Sequence, residues 1–200
     1  MQPRFDASYS VLKSWAEGRK DDALKMYFKF DTLVTPAMQA GIRFHSEWEK
    51  EIRTTNRLPV IFGARPLIKP MVEKMMVWDY PDRINGSWLR LKGKSDVTDE
   101  PAIIEFKSGL TESSEYANHH QVGIYGFLAI ANGRRINKAE IYHYNQHDNK
   151  VDMSIVWLTN DRLRQAIDWA REVAWDMYSE MIGQKLFEKY GHRRTSGNTH

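Results

Sequence analysis

The segment Gly93–Lys107 constrains the fold more than any other part of this 200-residue chain. Near its end, charged and apolar residues alternate, which puts Glu105 and Lys107 on one face of a predicted strand and Phe106 on the other. A polar turn before this strand predicts a hairpin, which would bring the carboxylate of Asp96 beside Glu105. A strand that buries one face and directs an acid and a lysine from the other indicates a chemical role.

Two carboxylates and a lysine in one cleft suit a hard divalent cation. Mg²⁺ prefers oxygen ligands and commonly accepts one or two protein carboxylates. A bound metal ion lowers the pKa of water and stabilises charge on a phosphodiester, while a lysine can orient the attacking water. The alternative is a surface hairpin with an ordinary pair between Glu105 and Lys107, and the residues alone leave both interpretations open.

The composition is typical of one soluble globular domain. The length is sufficient for a sizeable core, and the content is 42% hydrophobic and 28% charged. A net charge of +3 permits nucleic-acid binding without requiring it. The chain has no cysteine, which excludes disulfides and thiolate metal sites.

The sequence shows neither a signal peptide nor a membrane-spanning run. The N-terminal residues lack the basic and apolar regions of a signal peptide. No apolar run approaches the roughly 20 residues needed to span a bilayer. We therefore expect a cytoplasmic protein with no membrane contact, and a flexible basic tail at residues 191–200.

A helix is predicted from Pro36, because Thr35 is a capping residue and proline favours the first helical turn. One side of this helix is predicted to point inward, since its residues recur at spacings of four, three, four and three. These residues are Met38, Ile42, His45, Glu49 and Ile52. A histidine on such a stripe is ordinarily a core residue.

The remaining periodicities predict an α/β order of elements. Helices are expected at 7–17, at 112–131 and from Asn160, the last with an inward stripe. Its inward residues are Leu163, Ile167, Ala170, Ala174, Met177 and Met181. Strands are expected at 71–79, 87–97, 102–107, 138–144 and 151–157, with a turn at Pro81–Gly86. We therefore predict a central mixed five-stranded sheet flanked by helices.

Three groups of residues have two interpretations each. An aromatic cluster would stack on bases or form core; it contains Tyr27, Phe28 and Phe30. A row on the same strand face as Asp96 would line a phosphate path or face solvent; it contains Trp88, Arg90, Lys92 and Lys94. The adjacent His119 and His120 would face either phosphate or solvent.

The motifs together resemble the PD-(D/E)XK nucleases. Asp96, followed by Glu105-Phe106-Lys107, resembles the core of that superfamily. Gly41–His45 resembles the G-x-x-x-H helix of its RecB-like exonuclease branch, and Gln121–Tyr125 resembles the Q-x-x-x-Y helix of the same branch. All occur in the order of the family and span residues 41–125.

The resemblance implies a restriction-endonuclease-like fold. A single nuclease domain would cover residues 1–190 and begin with a helical segment over 1–58. One or two Mg²⁺ or Mn²⁺ ions would be held by His45, Asp96, Glu105 and the backbone carbonyl of Phe106. Related CRISPR-adaptation nucleases hold an iron–sulfur cluster through four cysteines, which this chain lacks.

The resemblance also implies roles for residues around the metal. Lys107 would position the attacking water, and Glu49 would support the ligands or occasionally join them. Gln121 and Tyr125, one helical turn apart, would orient the catalytic elements and the DNA strand.

The implied activity is that of a metal-dependent DNA nuclease. An exonuclease is preferred, acting on single-stranded DNA or duplex ends and leaving a 5′-phosphate and a 3′-hydroxyl. The alternatives are a structure-specific endonuclease and a non-catalytic DNA-binding subunit. Either would fit a repair, recombination or CRISPR-related complex with protein partners.

Overall fold

The computed structural model describes residues 4–30, 34–84, 87–109 and 111–190. The predicted basic tail at 191–200 lies outside the described residues.

The chain divides into two compact units. The first comprises residues 1–33, 77–92 and 167–200, and the second comprises residues 34–76 and 93–166. The single domain expected over 1–190 stays a prediction.

The described residues form eight strands and seven α-helices. The strands are β1 (Arg4–Ser8), β2 (Met71–Val72), β3 (Met76–Ile84), β4 (Ser87–Gly93), β5 (Val97–Asp99), β6 (Ala102–Ser108), β7 (Lys138–Asn145) and β8 (Lys150–Trp157). The helices are α1 (Tyr9–Ala16), α2 (Lys20–Phe28), α3 (Pro36–Thr55), α4 (Ser113–Ala117), α5 (His120–Ala131), α6 (Asn160–Gly183) and α7 (Leu186–Tyr190). A short 3₁₀ turn covers Val60–Phe62.

The first unit is built around a three-stranded sheet in the order β1-β4-β3, with β1 parallel to β4. The helical segment expected over 1–58 is therefore wrong at its start, because β1 precedes α1. Burial in β1 follows a period of two, which places Phe5 and Ala7 in the core. Pro81 lies within β3, so the turn expected from Pro81 is wrong at its start, and Asn85-Gly86 lies outside the described residues.

Aromatic side chains form much of the core of the first unit. Tyr27 and Phe28 are buried, and the ring of Tyr27 stacks on Phe5 with centroids 4.9 Å apart. The prediction of an aromatic core is therefore confirmed for Tyr27 and Phe28. The inward stripe of α6 is confirmed as well, since five of its six predicted residues are buried: Ile167, Ala170, Ala174, Met177 and Met181.

The second unit contains the predicted mixed sheet of five strands, in the order β2-β5-β6-β7-β8. Strands β6 and β7 are parallel and the other pairs are antiparallel. The single strands expected at 71–79 and 87–97 are wrong, because each is split. Glu73 has a left-handed backbone with φ of 51°, which ends β2. β4 ends at Gly93, and β5 begins at Val97.

Helices of the second unit cover both faces of β6. Trp48 and Ile52 of α3 belong to one apolar cluster with Ile104 and Phe106. On the opposite face, Gln121 of α5 contacts Glu105. The single helix expected at 112–131 is wrong, because an extended backbone at residue 119 separates α4 from α5.

The stripe predicted on α3 is correct only in the second half of the helix. Ile52 is fully buried, whereas Met38 and Ile42 are 50% and 61% exposed. The N-cap prediction is confirmed, since the Met38 N–H donates to Thr35 Oγ1 at 3.2 Å. Within the described part of the chain, no helix combines the length and apolar character that a membrane crossing requires.

Candidate metal-binding active site

The hairpin of β5 and β6 places two carboxylates side by side. Val97 pairs with Ile104, so Asp96, one residue earlier, lies opposite Glu105. The Phe106 N–H donates to Asp96 Oδ2 at 2.6 Å, and the Asp96 N–H donates to Glu105 Oε1 at 3.3 Å. The structure therefore brings together the two acids that the sequence pattern paired.

The bend that carries Asp96 is held by its neighbours. The Glu73 N–H donates to the carbonyl of Asp96 at 2.9 Å. The hydroxyls of Ser95 and Thr98 are buried and bond to each other at 2.8 Å. These contacts fix the backbone of the bend and with it the position from which the Asp96 side chain extends.

Glu105 is 2% exposed and receives two donors at one oxygen. Lys107 Nζ donates to Glu105 Oε2 at 3.0 Å, and Gln121 Nε2 donates to the same atom at 3.1 Å. The Lys107 ammonium also lies 5.7 Å from the ring centroid of Tyr116, within reach of a cation–π contact. Tyr116 could not be identified from the sequence, because no spacing connects α4 to β6.

His45 approaches the acids from α3. Its Nδ1 lies 3.5 Å from Asp96 Oδ1, and its ring lies against Trp48 with centroids 5.5 Å apart. Glu49, one turn further along α3, instead accepts from Arg53 Nε at 2.9 Å. The structure thus joins His45 to the carboxylates and balances the charge of Glu49 with an arginine.

Burial and mutual charge shift the pKa values of the two carboxyl groups in opposite directions. Burial raises the pKa of Glu105 to about 7; Lys107 opposes this shift, and the charge of Asp96 adds to it. Burial would also raise the pKa of Asp96, but the hydrogen bond with His45 and the charge of Lys107 hold it below its usual value. Near pH 7 Glu105 is therefore only partly ionised, whereas Asp96 carries its negative charge.

The two cations of the cluster have raised pKa values. Burial alone would lower the pKa of His45, but its hydrogen bond with Asp96 and the charge of Asp96 raise it. Burial would likewise lower the pKa of Lys107, whereas the charges of Glu105 and Asp96 raise it above its ordinary value. Lys107 therefore carries a positive charge at neutral pH.

The donor types fit a hard divalent cation. Carboxylate oxygens suit Mg²⁺ and Mn²⁺, and an imidazole is compatible with Mn²⁺. A cavity of about 10 Å³, the space of a single water, lies against His45, Asp96, Phe106 and neighbouring residues. As the side chains stand, no three His, Asp or Glu residues in the described ranges are grouped as a metal site. The Phe106 N–H and His45 contact the oxygens of Asp96, so a bound cation would compete with these contacts for Asp96.

Gln121 and Tyr125, predicted as a pair on α5, have different surroundings. Gln121 bonds to Glu105, as described above. The Tyr125 ring packs on Gly93, where an added Cβ would lie 2.6 Å from Tyr125 Cε1. Glycine at position 93 is therefore needed for this close approach, three residues before Asp96.

The basic residues near this segment are paired with acids. Arg90 Nη2 donates to Asp79 Oδ2 at 2.6 Å, and Lys94 forms an ion pair with Glu73. Lys92 Nζ lies 3.7 Å from Asp6 Oδ2. A phosphate path along these residues stays a prediction, because binding would have to compete with these acids.

Whether the two histidines before Gln121 face phosphate or solvent also stays a prediction. Burial and then the charge of Arg162 lower the pKa of His120. The imidazole of His120 is therefore neutral near pH 7, which gives it no charge with which to attract phosphate.

No protein-family model and no curated protein matches this chain. Solved structures do match. The crystal structure of a protein named SSO0001 is 12% identical, with 86% of this chain and 77% of that chain covered and a TM-score of 0.54. The crystal structure of an alkaline exonuclease, LHK-Exo from Laribacter hongkongensis, is 12% identical, with 92% and 93% covered and a TM-score of 0.53. At these identities the likeness shows a shared fold alone.

Proposed function

We propose that this protein is a metal-dependent nuclease that hydrolyses phosphodiester bonds in DNA, and that it acts as an exonuclease. The observation that carries the proposal is the contact of His45, Asp96, Glu105, Lys107 and Gln121 in one partly buried cluster. These side chains come from α3, the bend before β5, β6 and α5, so an ordinary surface ion pair between Glu105 and Lys107 does not explain their meeting. The shared fold with the exonuclease of Laribacter hongkongensis supports the same activity.

His45, Asp96, Glu105 and the carbonyl of Phe106 would hold Mg²⁺ or Mn²⁺. When bound, the cation would polarise the phosphodiester and lower the pKa of water. We propose no iron–sulfur cluster, since the chain has no thiolate, and a cytoplasmic location.

The side chains around the acids would position the reactants. Lys107 stays protonated because its pKa is raised, so it would orient water and phosphate as a charged donor and would not act as a base. Gln121 donates to the same oxygen of Glu105 as Lys107 does, which fixes the orientation of the carboxylate. Tyr125 would support the segment before Asp96 through its contact with Gly93.

Isosteric substitution of Glu105 tests the proposal. Labelled linear DNA, single-stranded or duplex, is incubated with Mg²⁺ or Mn²⁺. Glu105→Gln and Lys107→Ala are each expected to lower the cleavage rate by about 100-fold or more, the usual scale for a positioned catalytic group. Cleavage at the wild-type rate by both variants would contradict the site assignment.

Glu140 offers a matched control for Glu105. It is a buried glutamate on the neighbouring strand, and Lys138, two residues away, pairs with it at 2.8 Å. Glu140→Gln is expected to keep its cleavage rate per folded molecule. An equal loss in Glu105→Gln and Glu140→Gln would show that the assay reports stability.

The form of the DNA distinguishes the alternatives. An exonuclease degrades linear DNA and leaves a closed circle intact, whereas cleavage of the circle supports a structure-specific endonuclease. DNA binding that is independent of metal, without turnover, supports a non-catalytic subunit.

A further inference from the structure

The ammonium of Lys107 has two neighbours of different kinds. Its Nζ donates to Glu105 Oε2 at 3.0 Å, and it lies over the ring of Tyr116, 5.7 Å from the ring centroid. The face of an aromatic ring carries negative charge density, so it attracts a cation at this distance. Lys107 is thus held by a carboxylate from its own strand and by an aromatic ring from α4.

The two neighbours would respond differently to a cation bound at the acids. Glu105 would then share its oxygens between the cation and Lys107, and the two positive charges would repel each other. The ring of Tyr116 has no net charge, and a hard cation prefers oxygen ligands to a ring face. The contact with Tyr116 is therefore the one that Lys107 retains when Glu105 is engaged.

A lysine needs such a contact to act as a donor at a fixed place. Its four-carbon side chain is flexible, and holding it in one arrangement costs conformational entropy. The side chain of Lys107 is 18% exposed, so packing alone leaves it part of this freedom. The attraction of the ring therefore decides how much of the time the ammonium lies beside the acids.

Helix α4 places Tyr116 through bonds to the neighbouring strands. The Ser113 N–H donates to Asp152 Oδ2 at 2.9 Å, and the hydroxyls of Ser113 and Ser154 bond at 2.7 Å. The imidazole of His143 bonds to Asp152 at 2.6 Å and lies near the Tyr116 ring, with centroids 6.5 Å apart. These bonds are made without Lys107, so the position of the ring is set independently of the lysine.

We propose that Tyr116 is a positioning residue for Lys107, whose ring keeps the ammonium beside Glu105 during DNA cleavage. This role rests on the proposed nuclease function, in which Lys107 orients water and phosphate. The attraction comes from the face of the ring, so phenylalanine replaces tyrosine at this position and an aliphatic side chain does not.

Cleavage rates of two substitutions test the role. Tyr116→Leu is expected to lower kcat by about tenfold, the factor that the loss of one partly buried cation–π contact predicts, and to change KM by less than about twofold. Tyr116→Phe is expected to cut within about twofold of the wild-type rate. An equal loss of kcat in both variants would assign the effect to the hydroxyl and overturn the proposal.

A double-mutant cycle separates positioning from general support of the site. If the ring acts only through Lys107, adding Tyr116→Leu to Lys107→Ala lowers the remaining rate by less than about twofold. A tenfold loss in both backgrounds would show that Tyr116 acts in another way, which would overturn the proposal.

Tyr190→Leu is the matched control, because Lys189 lies over the Tyr190 ring in the first unit, 5.0 Å from the centroid. This variant is expected to keep the wild-type rate per folded molecule. A loss equal to that of Tyr116→Leu would show that the effect is not specific to Lys107 and would overturn the proposal.

The NMR resonances of Lys107 test the contact without DNA or metal. Its ε-methylene protons are assigned by their absence from the spectrum of Lys107→Ala, and protons above a ring face are shielded. They are expected upfield in the wild type and in Tyr116→Phe, and nearer to the ordinary lysine position in Tyr116→Leu. Identical shifts in the wild type and Tyr116→Leu would overturn the proposal.

The two measurements distinguish failure of this role from failure of the proposed function. A wild-type chain that cuts no form of DNA overturns the nuclease function, and the role of Tyr116 with it, even where the ring shift is present. Cleavage by the wild type that Tyr116→Leu leaves unchanged overturns the role of Tyr116 alone.

Discussion

The second unit contains two histidine–aspartate pairs with opposite characters. His45 Nδ1 lies 3.5 Å from Asp96 Oδ1, whereas His143 Nδ1 lies 2.6 Å from Asp152 Oδ1. Both members of the second pair have further hydrogen bonds to the backbone. His143 Nε2 donates to the Gly109 carbonyl at 3.1 Å, and Asp152 accepts from the Ser113 N–H. The first pair faces a further buried carboxylate. The same two residue types thus serve as a structural clamp in one place and as part of a candidate cation site in the other.

The carboxyl groups of the two places show what makes the difference. Burial would raise the pKa of Asp152, but hydrogen bonds from Ser113 and His143 lower it below its usual value. In the first cluster, burial and the charge of Asp96 raise the pKa of Glu105 to about 7 despite Lys107. A histidine near an acid therefore does not mark a functional site by itself; what distinguishes the first cluster is a second buried carboxyl group with a raised pKa.

Replacing each histidine by alanine gives the largest expected contrast. His45→Ala is expected to lower cleavage by about 100-fold or more while changing the free energy of unfolding by less than about 1 kcal/mol, because its ring is partly exposed. His143→Ala is expected to lower the free energy of unfolding by about 2–4 kcal/mol, since a buried ring loses two hydrogen bonds. Urea unfolding and cleavage at equal concentrations of folded protein measure both effects. The contrast fails if His143→Ala remains folded but stops cutting DNA.

Opposite pH responses of the metal-free protein sharpen the contrast further. An unfolded glutamate has a pKa of about 4.3. Between that value and pH 7, Glu105 has lost its proton in the unfolded chain but keeps it in the folded chain. The Glu105 carboxyl group therefore lowers the free energy of unfolding as pH rises. We expect a loss on the order of 3–4 kcal/mol, complete above pH 7 and absent in Glu105→Gln.

Asp152 responds in the other direction. Because its folded pKa is lowered, its stabilisation is present above the pKa of an unfolded aspartate, about 3.9, and is lost as pH falls below that value. Asp152→Asn is expected to remove part of the stability that the wild type loses as the pH falls. Urea unfolding in a chelator at pH 3.5, 5 and 7.5 measures both trends, and a parallel response of Glu105→Gln and the wild type would contradict the first.

A smaller effect is expected from the packing beside the first pair. In Gly93→Ala the new Cβ meets Tyr125 at 2.6 Å, so a loss of about 1–3 kcal/mol in the free energy of unfolding is expected. Gly183→Ala is the matched control, because nothing lies within 4 Å of an added Cβ at the end of α6. Equal melting temperatures for the two variants would show that the Tyr125 contact is not tight.

The core of the candidate site was predictable because it depends on local order. A period of two and one polar turn suffice to place Asp96 beside Glu105 and Lys107. The N-cap at Thr35 is equally local, and the structure shows its hydrogen bond. The five-stranded sheet was predicted as a class of fold, although two of its strands are shorter pieces than expected.

The structural features that the sequence did not predict depend mostly on contacts between residues far apart in the chain. Spacing shows that Met38 and Ile42 share a side of α3 with His45, but burial depends on whether another element lies over that part of the helix. Tyr116 reaches Lys107 only because α4 and α5 separate at residue 119. The left-handed backbone at Glu73 has no marker in the sequence, since glycine or asparagine would be the usual residues there.

That backbone gives a way to edit the electrostatics around His45. Glu73 lines the same small cavity as His45, and its N–H holds the carbonyl of Asp96. Glycine at this position accepts the conformation without strain and retains the N–H while removing the acid. An engineered Glu73→Gly chain would thus remove one carboxylate from the wall of this cavity and release Lys94 from its ion pair on an unchanged backbone, which makes residue 73 a position at which to change the charge around a bound cation.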